Sequence, residues 1–416
     1  MKNRKFFKWS IWLLAALFYF YEFILRVSPS VMVNELMQSF NITASGVGVL
    51  AAFYLYSYAP MQLPVGVLMD HFGIKKVLSW ASIICGCGAI IFAFSNQYSY
   101  AAIGRFLIGV GSSFAFIAIV YVSTNWFSEK KSGFLIGIAN SLAMFGAFAG
   151  TGPLSNLVQT FGYKKVIAFF GFVGLIIGFL VFFIFKLDTK EEKKDVSHHR
   201  EKLLKNIILV GSNKYIWING IVALLLYVTT TAFGGLWGQS FIEKAYNVSK
   251  DVSGYAVSMI FFGWLFGGPI VGFLSDMIND RKKTIRVAFV LTILFLVPVI
   301  YFPHFHIYIV YFLLFLVGFF SSAELLCFSV AIKLANNNAK ATAAAFTNFL
   351  ISCGDALVQP LVGFLLDLNW KGTLLDGIRN YSVLDYQKAI TVLPAALILG
   401  FILIFFLKEN NSLNKN

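Results

Sequence analysis

Apolar residues form long blocks along the chain, and short polar segments separate these blocks from one another. Each block holds about 20 apolar residues, which is the length that an α-helix needs to cross a bilayer. A transmembrane β-strand would instead read as about 10 residues of alternating character. The pattern predicts twelve membrane-spanning helices, numbered here as spans 1 to 12: 9–34, 45–69, 77–95, 99–127, 132–158, 164–187, 215–242, 252–276, 286–303, 306–333, 341–367 and 387–407.

Composition leads to the same fold class. Of the 416 residues, 58% are hydrophobic and only 12% are charged, which is too little polar surface for a soluble protein. The first apolar block runs from Phe7 to about Val33 and is longer than the apolar region of a signal peptide, so we expect it to be retained. The sequence therefore predicts an all-α membrane protein that crosses the bilayer many times.

Basic residues predict the orientation. Of the 33 Lys and Arg residues, 24 lie in segments on the side of the two chain termini and seven lie in the opposite loops. Lys and Arg are enriched in cytoplasmic loops, so both termini are expected in the cytoplasm. This bias also explains the net charge of +14 without a nucleic-acid partner.

Cofactor and enzyme chemistry have little support in the sequence. The four cysteines lie in apolar spans, where we interpret them as packing residues. His198 and His199 are adjacent and have no spaced partners of the kind that hold a metal ion. No Ser/His/Asp set and no phosphate-binding loop is recognisable, so we expect neither a cofactor, nor a metal, nor an enzyme.

Three short matches relate the two halves of the chain. PVGVLMD ends span 2 and PIVGFLSD ends span 8, while LIGVGSSFAF in span 4 corresponds to LVGFFSSAEL in span 10 at an offset of 209. Pro153 in span 5 and Pro360 in span 11 are 207 positions apart. The repeat predicts two six-helix bundles, residues 1–187 and 215–416, joined by a cytoplasmic linker at 188–214. Transporters often bind solute near mid-membrane between two such repeats.

The loop GVLMDHFGIKKVL between spans 2 and 3 resembles the loop motif of the major facilitator superfamily, G-x-L-A-D-R-x-G-R-K-x-x-L. His71 and Ile74 replace two of its arginines. GRFLIGVG in span 4 resembles the intramembrane arginine motif of the same family. The resemblance covers essentially the whole chain. It implies two pseudo-symmetric six-helix bundles that work by alternating access, in a protein that we expect as a monomer surrounded by lipid in a bacterial inner membrane.

Two further likenesses suggest a solute. YEFILRVSPSVM in span 1 resembles the first helix of phagosomal amino-acid transporters of intracellular bacteria. The run GRFLIGVGSSFAFIAIVYVSTNWF is similar to lysosomal dipeptide transporters. Both likenesses imply amino acids or short peptides.

The loop motif predicts a gate on the cytoplasmic side. Asp70 lies at a helix end, where it can accept hydrogen bonds from the N-terminus of a neighbouring helix. The resemblance implies that this neighbour is span 11, in the other half. Glycines in the motif allow backbones to approach closely. The predicted gating residues are Gly66, Asp70, Gly73, Lys75, Gly272 and Asp276, and the alternative is that the charges are merely solvated.

Five ionisable residues lie well inside spans: Glu22, Arg26, Arg105, Glu324 and Asp355. Each costs about 2.5–3.5 kcal/mol at mid-membrane, so each must face the protein interior or a water-filled cavity. Glu22 and Arg26 are four residues apart on one helix face and are expected to neutralise each other in part. Four of the five lie on spans 1, 4 and 10, which line the cavity in the family that the chain resembles.

Arg26 and Arg105 are candidates to bind an anionic group such as a carboxylate. Glu22, Glu324 and Asp355 are candidates to bind a cationic group or a coupling proton. The alternative is a network that only ties helices together. Other predicted lining residues, each of which could instead serve packing, are Tyr19, Tyr58, Tyr121, Tyr227 and Gln239.

Charges of both signs favour a small charged or zwitterionic organic solute over a neutral lipophile. We therefore expect a secondary active transporter, and specifically proton-coupled import of an amino acid or short peptide. The first alternative is a proton antiporter that exports a siderophore or a drug. A receptor that signals through the middle loop and facilitated diffusion without a proton also stay open.

Overall fold

The computed structural model describes residues 2–184 and 205–407, which are helical over most of their length. Eleven helices in this part of the chain are long and apolar enough to cross a membrane. The number is twelve when the pair Val33–Phe40 and Ala44–Met61, bent by 106°, counts as one span. Because lipid offers no hydrogen-bond partners, each apolar block satisfies its backbone internally as a helix. The predicted all-α fold is confirmed.

The helices of the first half follow the predicted spans closely. Their bounds, in chain order, are Lys2–Val27, Val33–Phe40, Ala44–Met61, Val65–Phe72, Ile74–Phe94, Tyr98–Ser112, Ala115–Trp126, Glu129–Ala149, Gly152–Phe161 and Tyr163–Ile184, with a 3-10 turn at Ser28–Val31. Of the predicted linker 188–214, which contains His198 and His199, only residues 205–214 belong to the described part of the chain.

The second half repeats this arrangement. Its helices are Lys214–Val228, Gly238–Tyr246, Lys250–Ile278, Arg281–Tyr301, Ile307–Ser321, Leu325–Leu334, Lys340–Asn369, Val383–Ile390 and Val392–Leu403, with a π-helix at Thr229–Trp237 and 3-10 turns at Ser322–Glu324, Asn337–Ala339 and Ile404–Phe406. Between spans 11 and 12 the antiparallel strands Leu374–Leu375 (β1) and Ile378–Arg379 (β2) form a short hairpin.

Spans 4 and 10 are broken at equivalent positions. Span 4 changes helix at Ser113 and Phe114, and span 10 passes through the 3-10 turn Ser322–Glu324. Ser322 lies 209 positions after Ser113, the same offset as the sequence match between these spans. The duplication therefore extends to the place where each helix breaks.

Two glycines make equivalent tight contacts in the two halves. A Cβ atom added to Gly109 of span 4 would lie 2.1 Å from the carbonyl oxygen of Tyr54 in span 2. A Cβ added to Gly318 of span 10 would lie 1.9 Å from the carbonyl oxygen of Ile260 in span 8. Only glycine lets the backbones approach this closely. Each half is thus held together by direct backbone packing.

The two halves meet at the end of the molecule opposite the chain termini, which we call the outer end. Here spans 2 and 11 touch, and a Cβ on Gly48 would lie 2.7 Å from the carbonyl oxygen of Gln359. Spans 5 and 8 touch as well, since a Cβ on Gly254 would lie 2.9 Å from the Cβ of Ser155. These contacts close the outer end.

At the opposite, inner end the glycines of the predicted gate are uncovered. A Cβ added to Gly66 or to Gly272 would meet no atom of the described structure within 4 Å. The hydrogen bond of 2.9 Å from Asn348 in span 11 to Gln62 in span 2 lies deeper in the molecule than these glycines. The structure therefore has a conformation in which the two halves are in contact at the outer end.

Candidate functional site

Arg26 occupies the centre of the site at the last turn of the first helix. The 3-10 turn that follows, Ser28–Val31, carries a proline near its start and ends the regular helix there. The guanidinium carbon lies 5.3 Å from the ring centroid of Phe23, 5.7 Å from that of Tyr54 and 5.3 Å from that of Tyr58. None of the three ion pairs found in the described part of the chain involves Arg26. Its charge is held by aromatic rings rather than by a carboxylate.

Glu22 does not form the expected ion pair with Arg26. The Glu22 carboxylate is fully buried and accepts a hydrogen bond of 2.9 Å from the Tyr54 hydroxyl. The two charges are electrostatically coupled, but they are not in contact. The helical spacing predicted a shared face, and in the structure the two side chains contact different parts of Tyr54. Tyr54 donates to Glu22 and lies under the guanidinium of Arg26, on the same stripe of span 2 as Tyr58.

The Arg105 guanidinium is buried against main-chain carbonyls in this conformation. Its side chain is only 1% exposed and donates to the carbonyl oxygens of Leu25 at 2.8 Å, Arg26 at 3.3 Å and Ala51 at 3.4 Å. The first two carbonyls lie where the helix of span 1 ends, and a cation at a helix C-terminus is favourable. This geometry matches the alternative in which Arg105 ties spans 1, 2 and 4 together.

Two carboxylates face this region from the second half. Glu324 is 3% exposed, lies in the break of span 10 and has no hydrogen bond to any residue that the structure describes. Asp355 in span 11 is fully buried and accepts a hydrogen bond of 2.5 Å from Thr231 in the π-helix of span 7. Neither carboxylate takes part in an ion pair of the described structure.

Tyr227 connects the charges of the two halves. Its hydroxyl interacts electrostatically with the charged side chains of Arg26, Asp355 and Glu324. Its ring packs edge-on against Trp264, with the ring centroids 5.3 Å apart. Asp355 is itself within electrostatic range of Arg26. The fold thus brings a cation from span 1 and carboxylates from spans 10 and 11 into one region between the halves.

The remaining predicted lining residues have different positions. Tyr19 is buried, packs edge-on against Phe23 at 5.2 Å and lies within electrostatic range of Tyr58 and Tyr227. Tyr121 is half-buried in the second helix of span 4.

The structure places Gln239 at the outer end instead. Its amide nitrogen donates to the Ser155 hydroxyl and to the Lys250 carbonyl oxygen, both at 2.9 Å, and so joins the two halves. Its polarity and its place on span 7 suggested a lining residue, but the π-helix before it changes the face on which it lies.

The described side chains of the predicted gate contact groups of their own half in this conformation. Gly73 has a φ of +78° and makes the turn between spans 2 and 3, a conformation that favours glycine. The Lys75 ammonium lies 5.2 Å from the ring centroid of Phe182, in the same half. Asp276 pairs at 3.7 Å with Arg281, also in its own half, and the side chain of Asp276 is 74% exposed. The side chain of Asp70 lies outside the described part of the structure.

The family of the chain follows from a direct comparison. The family model described as Major Facilitator Superfamily matches residues 11–359 and, in a second match, residues 220–415. This chain belongs to the major facilitator superfamily. Its relatives include several transporters, and a membrane sensor protein of Escherichia coli is 22% identical over 413 residues, covering 92% of each chain.

Several transporters resemble the chain over part of its length. An uncharacterised transporter of Bacillus subtilis is 32% identical over 172 residues, 41% of this chain and 39% of the relative. A probable sulfoacetate transporter of Cupriavidus necator is 25% identical over 294 residues, covering 65% and 66% of the two chains. A lysosomal dipeptide transporter of Danio rerio is 24% identical over 288 residues, covering 64% and 61%. The chain spans less than two thirds of each of these relatives.

A solved structure shows the same fold over nearly the whole chain. A bacterial homolog of the human lysosomal transporter Spinster, in an inward-facing and occupied conformation, superposes with a TM-score of 0.74 and 14% identity. The match covers 96% of this chain and 97% of that chain. The two-bundle fold implied by the sequence motifs is therefore confirmed.

Proposed function

We propose that this protein is a secondary active transporter that carries a small charged or zwitterionic organic solute, an amino acid or a short peptide, by alternating access. The main support for this proposal is the distribution of charged side chains around Arg26. A cation without a carboxylate partner faces Asp355 and Glu324, two carboxylates without a cationic partner, across the boundary between the halves. A zwitterion supplies the missing partner on each side, which offsets the cost of burying these charges.

The aromatic surroundings suit Arg26 for binding an acid group. Cation–π contacts are worth about 0.5–2 kcal/mol and do not themselves use the N–H donors of the guanidinium. An arriving carboxylate can accept two of them side by side, which is the strongest form of this interaction. Tyr19, Tyr58 and Tyr227 then line the pocket around the solute.

Glu324 and Asp355 are proposed to couple transport to a proton. Both are carboxylates in the second half, and neither has a salt-bridge partner in the described structure. Asp355 is also bonded to the π-helix of span 7, which contacts the outer part of span 1. Loading and release of a proton at this carboxylate would therefore alter a segment that closes the outer end.

The relatives support a solute with an acid group. The names of two of them refer to sulfoacetate and to dipeptides, both of which carry an anionic group. The basic residues at the inner end support cytoplasmic termini in an inner membrane. With that orientation, the inner end faces the cytoplasm. We further propose that the bundles 1–187 and 215–416, with the linker 188–214, work as a monomer.

Uptake into proteoliposomes tests the proposal. Purified protein is reconstituted, an inward proton gradient is imposed, and accumulation of labelled amino acids, dipeptides and sulfoacetate is measured. We expect accumulation of at least one of these solutes. Arg26→Lys keeps the charge but loses the planar fork and is expected to weaken solute binding. Glu324→Gln is expected to abolish gradient-driven accumulation while solute exchange across the membrane continues.

Asp376→Asn provides the matched control, because this carboxylate is exposed in the hairpin between spans 11 and 12 and lies apart from the central cluster. It should leave solute binding unchanged. Accumulation of sulfoacetate alone would restrict the solute to organic anions. Gradient-driven efflux of a dye or siderophore would instead favour the exporter.

A further inference from the structure

Asp367 lies at the outer end of span 11 and holds the start of span 2, in the other half. Its Oδ2 accepts hydrogen bonds from the Thr43 hydroxyl at 2.6 Å, from the Ser45 N–H at 2.9 Å and from the Ser45 hydroxyl. The helix of span 2 begins at Ala44, and Thr43 does not cap it with its own side chain. The carboxylate of the opposite half therefore satisfies the free donors at this helix N-terminus.

The hairpin after span 11 braces this carboxylate. The second oxygen of Asp367, Oδ1, accepts from Arg379 at 3.0 Å and from the Tyr381 hydroxyl at 2.6 Å. The same hydroxyl accepts from the N–H of Ala44 at 3.1 Å. Asp367 is thus held in position by its own half through Oδ1, while Oδ2 accepts hydrogen bonds from span 2 of the other half.

The sequence around Asp367 repeats the gating motif. PLVGFLLD ends at Asp367, just as PVGVLMD ends at Asp70 and PIVGFLSD ends at Asp276. Asp70 lies at the inner end of span 2, where the predicted gate joins it to the start of span 11. One pair of helices therefore carries an aspartate at each end, and the helix that accepts at one end donates at the other.

We propose that Asp367 is the outer latch of the transport cycle, whose hydrogen bonds to the start of span 2 hold the outer end closed. The proposal rests on the proposed alternating access. The outer latch is closed in this structure. Hydrogen bonds of this kind need donor and acceptor within about 3 Å, so rocking of the halves breaks this set when the outer end opens.

Cysteine labelling measures the state of the outer end without any solute. In a full-length protein without its four native cysteines, Ser258→Cys places a thiol in the seam between spans 5 and 8. Ser258 is fully buried, and a Cβ on Gly152 would lie 3.2 Å from its hydroxyl oxygen. A membrane-impermeant maleimide, added outside right-side-out vesicles, reports how often this seam opens.

Asp367→Ala is expected to raise the labelling rate about tenfold, which corresponds to about 1.4 kcal/mol of lost closure. The combined change Thr43→Val and Ser45→Ala, which removes the partner side chains on span 2, should give the same direction of change. Arg379→Ala is the matched control, because it breaks only the brace within one half. Its labelling rate should rise much less than that of Asp367→Ala, since Oδ2 keeps its partners on span 2.

Equal labelling rates for Asp367→Ala and the parent, with full labelling of both after denaturation, would overturn the proposal. An increase in Arg379→Ala as large as that in Asp367→Ala would overturn it too, since loss of the hairpin brace would then explain the effect. The readout does not depend on transport. Failure to transport any solute would therefore count against the proposed function and leave this test intact.

Discussion

Replacing Arg105 with methionine distinguishes a residue that holds helices together from one that binds solute. The guanidinium donates one short hydrogen bond, 2.8 Å to Leu25, and two longer ones of 3.3 and 3.4 Å to Arg26 and Ala51. Methionine is a similarly long side chain but donates no hydrogen bond. All three carbonyls would lose this donor inside a region where water cannot easily replace it.

The expected loss follows from these three contacts. A hydrogen bond from a charged donor contributes about 1.5–3 kcal/mol, and long bonds contribute less. About 2 kcal/mol for the short bond and about 1 kcal/mol for the two long ones give a loss of about 3 kcal/mol. In a domain of about 150–250 residues, 1 kcal/mol shifts Tm by about 2–4 °C, so Tm should fall by about 6–12 °C.

The assay is thermal unfolding of the purified protein in detergent, followed by size-exclusion chromatography of the fraction that stays folded. Arg26→Met is the matched control, because in the described part of the chain the Arg26 guanidinium contacts the side chains of Phe23, Tyr54 and Tyr58 instead of helix carbonyls. We expect this variant to keep a Tm close to wild type and to lose solute binding. An Arg105→Met variant with a wild-type Tm and no solute binding would refute our assignment.

Two further substitutions test packing and the burial of Glu22. Gly318→Ala places a Cβ 1.9 Å from the backbone oxygen of Ile260, so we expect a loss of at least about 1–3 kcal/mol, whereas Gly272→Ala enters open space and should leave Tm unchanged. Equal melting temperatures for these two variants would contradict the packing described here. Tyr54→Phe removes the hydroxyl that donates to Glu22 and should lower stability by about 1–3 kcal/mol, measured as a lower Tm; an unchanged Tm would mean that the carboxylate is satisfied in another way.

The helical fold could be predicted because lipid leaves the chain few choices. A block of about 20 apolar residues must become a helix, and a fixed offset between short matches reveals the duplication. The same logic predicted that charges inside the spans would face the interior. Glu324 and Asp355 are buried as this argument requires.

The roles of individual charges were harder to derive. Arg26 and Arg105 have similar depth and the same chemistry, and only the structure shows that both lie over rings while Arg105 also donates to main-chain carbonyls. Sequence spacing gives the face of a helix but does not give the rotamer or the partner. Asp367 was missed for a related reason, because an acidic residue at the end of a span looks like an ordinary solvated charge until the opposite helix is in place.

The tight glycine contacts have a consequence for redesign of the protein. A Cβ atom added at Gly109 or Gly318 would lie about 2 Å from a backbone oxygen, so the helices of each bundle are already in direct contact. Such close packing leaves no space in which the helices could shift to accommodate a local change. Each bundle should therefore behave as a rigid body, and the side chains that line the cavity can be replaced without changing the helix packing. Retargeting the protein to a new cargo then becomes a matter of replacing the few side chains around Arg26, while the helices that support them are left untouched.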